Sequence, residues 1–106
     1  MRVLVLGAGG MIGQKLLASL AQDRPEAEVI AHDIAFPPNP VNARQNVTGS
    51  VTDPGAMEKL VSLRPDLIFH LASVVSGEAE QDFEKGWAVN MWPTWSLLEA
   101  LRAAHE

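Results

Sequence analysis

The segment Gly7-Ala8-Gly9-Gly10-Met11-Ile12-Gly13 is the part of this sequence best suited to chemistry. Glycines let a backbone turn sharply and come close to a bulky anion. A helix opening behind them offers unpaired N–H groups and the positive end of its dipole, a pairing that suits phosphate oxygens. Register narrows the choice. Counted from Gly7, a G-x-G-x-x-G pattern needs glycine where Ile12 stands, so the spacing that fits is Gly7-x-x-Gly10-x-x-Gly13. A Walker A loop needs Lys and then Ser/Thr directly after its last glycine, and Gly13-Gln14-Lys15-Leu16 fails that test. The expected roles divide among the three glycines: Gly7 for the tight turn, Gly10 for close approach to a pyrophosphate, Gly13 for close helix packing.

Asp33 is the second candidate. It closes a short apolar stretch, where a carboxylate can accept hydrogen bonds from an adenosine ribose. The same charge repels a 2′-phosphate, and no Arg or Lys follows before Arg44, so NAD is favoured over NADP. The competing reading is an aspartate that merely caps the start of a loop.

Other residues invite chemistry less strongly. His70 lies inside an apolar run, where histidine is more often a hydrogen-bonded core residue than a catalyst. Neither His32 nor His105 has a neighbour at metal-ligand spacing. Glu78, Glu80, Asp82 and Glu84 form an acidic run, usually a solvated helix start. This run follows an apolar strand whose C-terminal end is where open α/β sheets bind ligands, so Ser76 and Glu78 are candidate substrate contacts. Trp87, Trp92 and Trp95 fall in one helical region, and Trp92 and Trp95 share a face that is either core or a contact surface.

These residues need elements to position them. Val3-Leu4-Val5-Leu6 reads as a strand buried on both faces, followed by a helix with Ile12, Leu16, Leu17 and Leu20 as its stripe and Pro25 as its stop. Glu28 to Ile34 reads as a second strand. Phe36-Pro37-Pro38-Asn39-Pro40 must be loop, since each proline fixes φ and removes a donor. A weak third strand is expected over residues 43–47. Asp53-Pro54 then looks like an N-cap and first helical residue, with Met57, Leu60 and Val61 facing the core and Arg64-Pro65-Asp66 as the end. Leu67 to Ala72 is a fourth strand. A longer helical stretch runs from Glu80 to Ala104, kinked or interrupted at Pro93. The rhythm predicts an α/β fold: a Rossmann-like, doubly wound parallel sheet, truncated, with strand order 3-2-1-4.

Composition sets outer limits. The 106 residues suit a single domain, and 47% hydrophobic content with 20% charged residues is globular. Thirteen acidic against eight basic residues argue against nucleic acid as the main partner. No apolar run is long enough to cross a bilayer, and the glycines break the early apolar run before it can form a secretory leader, so a cytoplasmic protein without a membrane partner is expected. Cysteine is absent, which removes disulfides and thiolate chemistry. Tyrosine is absent too.

Taken together, Gly7-x-x-Gly10-x-x-Gly13, Asp33, His70-Leu71-Ala72-Ser73 and Val89-Asn90 followed by Leu97-Leu98-Glu99-Ala100 resemble the extended short-chain dehydrogenase/reductase superfamily, also called the NAD-dependent epimerase/dehydratase family. The order of the motifs matches over essentially the whole chain. The segment Phe69 to Glu80 is similar to a branch that oxidises a four-carbon sugar acid, D-erythronate, with NAD. The resemblance implies that Gly7, Gly10, Met11 and Ile12 surround the pyrophosphate, with Gly13 behind them. Asp33 would hold the ribose, and Leu71, Ala72 and Ser73 would line the cofactor. Where the family commonly has aspartate after the glycine ending its third strand, Gly49 is followed by Ser50, which leaves the Val51 backbone to meet the adenine. Pro93 stands where many members carry glycine.

The family's acid/base pair, Tyr-x-x-x-Lys, has no counterpart, and the chain ends at Glu106 before that helix. General acid/base catalysis needs a positioned proton acceptor. The chain is therefore expected to bind NAD as the N-terminal portion, residues 1–106, of an oxidoreductase acting on a small sugar acid, and not to turn over alone. A catalytically silent Rossmann binding module and a portion of a sugar-nucleotide epimerase or dehydratase are the alternatives. Self-association is also expected, because a fourth strand without a neighbour leaves an open apolar edge.

Overall fold

The structure is a computed structural model that describes residues 1–41, 43–71 and 92–104. Its strands are β1 (Arg2–Leu6), β2 (Glu28–Asp33), β3 (Gln45–Thr48) and β4 (Leu67–His70); its helices are α1 (Met11–Asp23), α2 (Ala56–Ser62) and α3 (Trp92–Ala104). All strand pairings are parallel and the order is β3-β2-β1-β4. β1 is central, with Leu6 opposite both His32 and His70. The chain builds outward from β1 to β3, then crosses back to place β4 on the other side. Such a reversal opens a crevice at the C-terminal ends of the strands.

Alternation in β1 explains the layers. Leu4 and Leu6 pack with Ile30, Met57, Leu60, Val61, Leu97 and Ala100, the side covered by α2 and α3. Val3 and Val5 point the other way, to Ala8, Leu17, Val29 and Ala31, the side covered by α1. A central strand buried on both faces carries no polar side chains, which is why residues 3–6 are uniformly apolar. β3 is the opposite case: Gln45, Asn46 and Thr48 are exposed and only Val47 reaches the core, as suits an edge strand.

At the end of the sheet remote from the glycines, Arg2 ties three elements. Its Nε meets Glu28 Oε2 at 3.2 Å, its guanidinium donates to the Leu63 carbonyl, and its backbone N–H donates to Asp66 Oδ2. Among the described residues no helix is long and apolar enough to cross a membrane.

Several sequence expectations need correction. Ile12 is not part of the buried stripe of α1; it is 66% exposed, and Gly13 takes the inward position. The helix settles onto the preceding turn at Gly13, which rotates its neighbour outward. Asp53 does not cap α2. Its carboxylate accepts from the Ser50 N–H at 3.1 Å, forming a turn over residues 50–53, and α2 starts later with Gly55 as N-cap. β3 begins two residues later than expected, and β4 ends at His70, although the Leu71 N–H still donates to the Leu6 carbonyl at 2.8 Å. In the described helix α3, Pro93 occupies the first turn, where its missing N–H costs nothing. The expected helix over residues 80–91 lies outside the described residues.

Candidate functional site

Because the strands are parallel, every segment that follows a strand emerges at the same edge of the sheet. The Gly7–Gly13 turn follows β1, Asp33 closes β2, Val51 lies beyond β3, and Leu71 lies beyond β4. Ala72, Ser73, Ser76 and Glu78 lie outside the described residues.

The glycine turn is tied down amide by amide. Gly7, at φ 85°, leaves β1 in the left-handed region that glycine tolerates. The Gly7 and Ala8 N–H groups both donate to the His32 carbonyl, at 2.9 and 3.0 Å. The Gly9 N–H donates to Asp33 Oδ2 at 2.8 Å. Thus three consecutive loop amides are committed to two consecutive residues at the end of β2. The Gly10 N–H donates to the Gly7 carbonyl at 3.4 Å, and the amides from Met11 onward are different in kind. Gly10 is the N-cap of α1 and makes no side-chain cap bond, and the first turn holds no acidic residue. Helix-start N–H groups without such partners are donors available to an anion.

The space above them is open. A Cβ on Gly10 would approach only the Gly7 carbonyl oxygen, at 3.7 Å. Met11 and Ile12 are 74% and 66% exposed beside it. Gly13 and Gly9 show the reverse. A Cβ on Gly13 would strike the Gly7 carbonyl oxygen and stand 2.6 Å from Ala8 Cα, and one on Gly9 would strike the Ala35 carbonyl oxygen. An open cradle at Gly10, flanked by closely packed glycines, fits a pyrophosphate.

Asp33 unites the two roles that its sequence position suggests. Oδ1 accepts from the adjacent Ile34 N–H at 2.6 Å, as a loop-starting aspartate does, while Oδ2 reaches across to Gly9. Each oxygen keeps a second lone pair, and the side chain is half-buried. The carboxylate is thus aimed, and still able to accept from hydroxyl groups.

Gly49 stands between two polar neighbours of this edge: a Cβ there would lie 3.7 Å from His32 Nε2 and 3.8 Å from Asp53 Oδ2. His32 is 3% exposed, and its Nδ1 has no partner among the described residues. Burial pushes its pKa below the ordinary 6.5, against the opposing pull of the Asp33 and Asp53 carboxylates. Val51 turns its half-buried side chain to the α2–α3 core, so only its backbone is placed for a ligand. Leu71 packs on the α1 side. His70 is half-buried, with Nε2 3.0 Å from Thr94 Oγ1, and burial lowers its pKa. That contact joins β4 to α3 and matches the hydrogen-bonded reading.

Sequence reasoning passed over two residues. Gly9 belongs to the glycine cluster but fits no motif position, and the reason for glycine there is the Ala35 carbonyl from the next strand connection. Gln14 looks like an ordinary first-turn residue; its Nε2 donates to the Ala8 carbonyl at 2.8 Å and its Oε1 accepts from the Val41 N–H at 2.7 Å.

Residues 3–106 match the model of the NAD dependent epimerase/dehydratase family. The chain belongs to that family. Among its relatives, D-erythronate dehydrogenase from Cupriavidus necator is 35% identical over 112 residues, covering 96% of this chain and 35% of that protein. The nucleoside-diphosphate-sugar epimerase from Agrobacterium tumefaciens superposes with a TM-score of 0.85 at 38% identity, over 99% of this chain and 33% of that one. Uronate dehydrogenase from the same organism, solved as a complex with NAD, gives a TM-score of 0.76 at 31% identity, over 96% and 36%. This family member therefore spans about a third of the length of the relatives it matches. NAD is the cofactor by which the family is described.

Proposed function

We propose that these 106 residues are the NAD(H)-binding portion of an oxidoreductase that oxidises a hydroxyl of a small sugar acid such as D-erythronate. The observation that carries this is the division of labour in the glycine turn. Gly7, Ala8 and Gly9 spend their amides on His32 and Asp33, while the start of α1 keeps its donors beside the open space at Gly10. In this reading the Met11 and Ile12 region receives the pyrophosphate, Gly13 sets the approach of α1, and Asp33 accepts from the ribose hydroxyls. The Val51 backbone meets the adenine, and Leu71, with Ala72 and Ser73 after it, lines the cofactor. NAD, when bound, supplies the hydride acceptor.

The chain's own contribution is to bind and orient. It contains no tyrosine, so the family's usual proton acceptor is not among its residues. Mixed with D-erythronate and NAD, it is expected to form NADH only at the background rate; turnover above background overturns that part of the reading. The sugar-acid class rests on the D-erythronate dehydrogenase relative, and Ser76 and Glu78 are the proposed substrate contacts. The epimerase superposition at 38% identity favours a second reading with the same cofactor site and a sugar-nucleotide substrate. Calorimetric titration of the NADH-loaded chain with D-erythronate, and separately with a nucleoside-diphosphate sugar, separates the two.

NADH titration followed by tryptophan fluorescence, with NADPH as control, tests the cofactor site. Saturable binding that prefers NADH is expected, and a folded chain without it refutes the reading. We also propose self-association. Among the described residues β4 pairs only with β1, and Trp95 and Leu98 are 57% and 58% exposed on α3. Sedimentation showing a stable monomer at tens of micromolar overturns this.

A further inference from the structure

The carbonyl of Ala8 and the N–H of Gly9 belong to one peptide group. Gln14 Nε2 donates to its carbonyl end at 2.8 Å, and Asp33 Oδ2 accepts from its N–H end at 2.8 Å. A trans peptide is planar and points these groups in opposite directions, so the two side chains hold the plane from opposite sides. We propose that Gln14 is a positioning residue for Asp33: by fixing the Ala8–Gly9 peptide it keeps the Gly9 N–H directed at the carboxylate that the cofactor reading assigns to the ribose. The inference rests on that reading for its consequence, though not for its geometry.

Three features make the arrangement specific to Gln14. Its carboxamide is satisfied at both ends, since Oε1 accepts from the Val41 N–H at 2.7 Å. That second bond anchors the far end of the proline-rich β2–β3 connection, whose near end lies against Gly9 through the Ala35 carbonyl. Finally, Gln14 follows Gly13 at the start of α1, so the helix that offers its N-terminus to the pyrophosphate also carries the clamp. One side chain thus couples the phosphate-side turn to the ribose-side carboxylate. Without it, the Ala8–Gly9 plane is held only from the Asp33 side and can rotate, because Gly9 imposes little restraint of its own.

The test combines amide exchange with cofactor selectivity. Gln14→Met keeps the length of the side chain and removes both polar ends. Gln14→Glu keeps an acceptor for the Val41 N–H but sets an oxygen against the Ala8 carbonyl. In the ligand-free chain, exchange of the Gly9 amide should quicken about tenfold or more in both variants, the scale of one lost hydrogen bond. The Val41 amide should quicken in Gln14→Met alone. In NADH and NADPH titrations, Gln14→Met should weaken NADH about tenfold and leave NADPH nearly unchanged, because a released carboxylate discriminates less. A merely structural role would weaken both cofactors together. Folded variants with unaltered Gly9 exchange overturn the clamp, and equal loss for NADH and NADPH overturns its effect on Asp33. If the unsubstituted chain fails to bind NADH, the cofactor reading falls, while the exchange results still decide the clamp. Should Gln14→Met fail to fold, Gln14→Glu decides by exchange alone.

Discussion

Gly13 rests directly on Gly7: a Cβ on Gly13 would strike the Gly7 carbonyl oxygen and come within 2.8 Å of the Ala8 carbonyl carbon. The obstacle is backbone, which cannot swing aside as a side-chain tip can. The close approach places the first turn of α1 against the end of β1 and turns Ile12 outward to the open edge.

Replacing Gly13 by alanine should therefore move the helix start as a unit. We expect Gly13→Ala to destabilise the chain by about 1–3 kcal/mol, the usual cost of overpacking a tight contact. NADH binding should weaken as well. Chemical denaturation and fluorescence titration of the same preparation measure the two effects, and an unaltered unfolding midpoint would contradict the packing role.

Asp33 carries the ribose reading and the Gly9 contact together. Asp33→Ala should lower NADH affinity tenfold or more, on the order of a charge-assisted hydrogen bond, and narrow the preference for NADH over NADPH. The diagnostic quantity is the ratio of the two affinities. An unchanged ratio would leave Asp33 with only its structural bonds to Gly9 and Ile34.

His32 should make stability depend on pH. Its pKa in the fold lies below the ordinary 6.5, chiefly through burial, so between those values the unfolded chain binds more protons. Stability is then fully present above the unfolded pKa and declines as pH falls toward the lowered folded value. His70 acts in the same sense. Melting temperatures taken from about pH 7.5 down to about pH 5.5 should fall, and His32→Leu should flatten part of that slope. An identical slope in the variant would remove His32 from the account.

Arg64 is the only non-glycine among the described residues with positive φ, at 58°, directly after the C-cap of α2. A left-handed residue is common at that place, and glycine adopts it without a Cβ penalty. Arg64→Gly should stabilise the chain by about 1 kcal/mol, read as a higher denaturation midpoint. Destabilisation would mean that the exposed arginine side chain contributes more than its backbone costs.

Much of this architecture is legible in the order of residues. The uniform apolarity of residues 3–6, the glycine register and the three prolines between Phe36 and Val41 act through local rules of periodicity and backbone freedom. They suffice to place β1, α1 and the parallel order, and to single out Asp33. What they could not supply is the use to which neighbours put one another. Asp53 has the local features of a helix cap, yet its carboxylate bonds the Ser50 N–H instead. Gly9 fits no motif position, and its need for glycine comes from a carbonyl on the following strand connection. Gln14 has no local signature at all, because its partners lie 6 and 27 residues away and meet only when the sheet has formed. Periodicity and turn chemistry are properties of adjacent residues. The commitment of each loop amide, and hence which donors stay free at the start of α1, depends on contacts across the chain that only the tertiary structure creates.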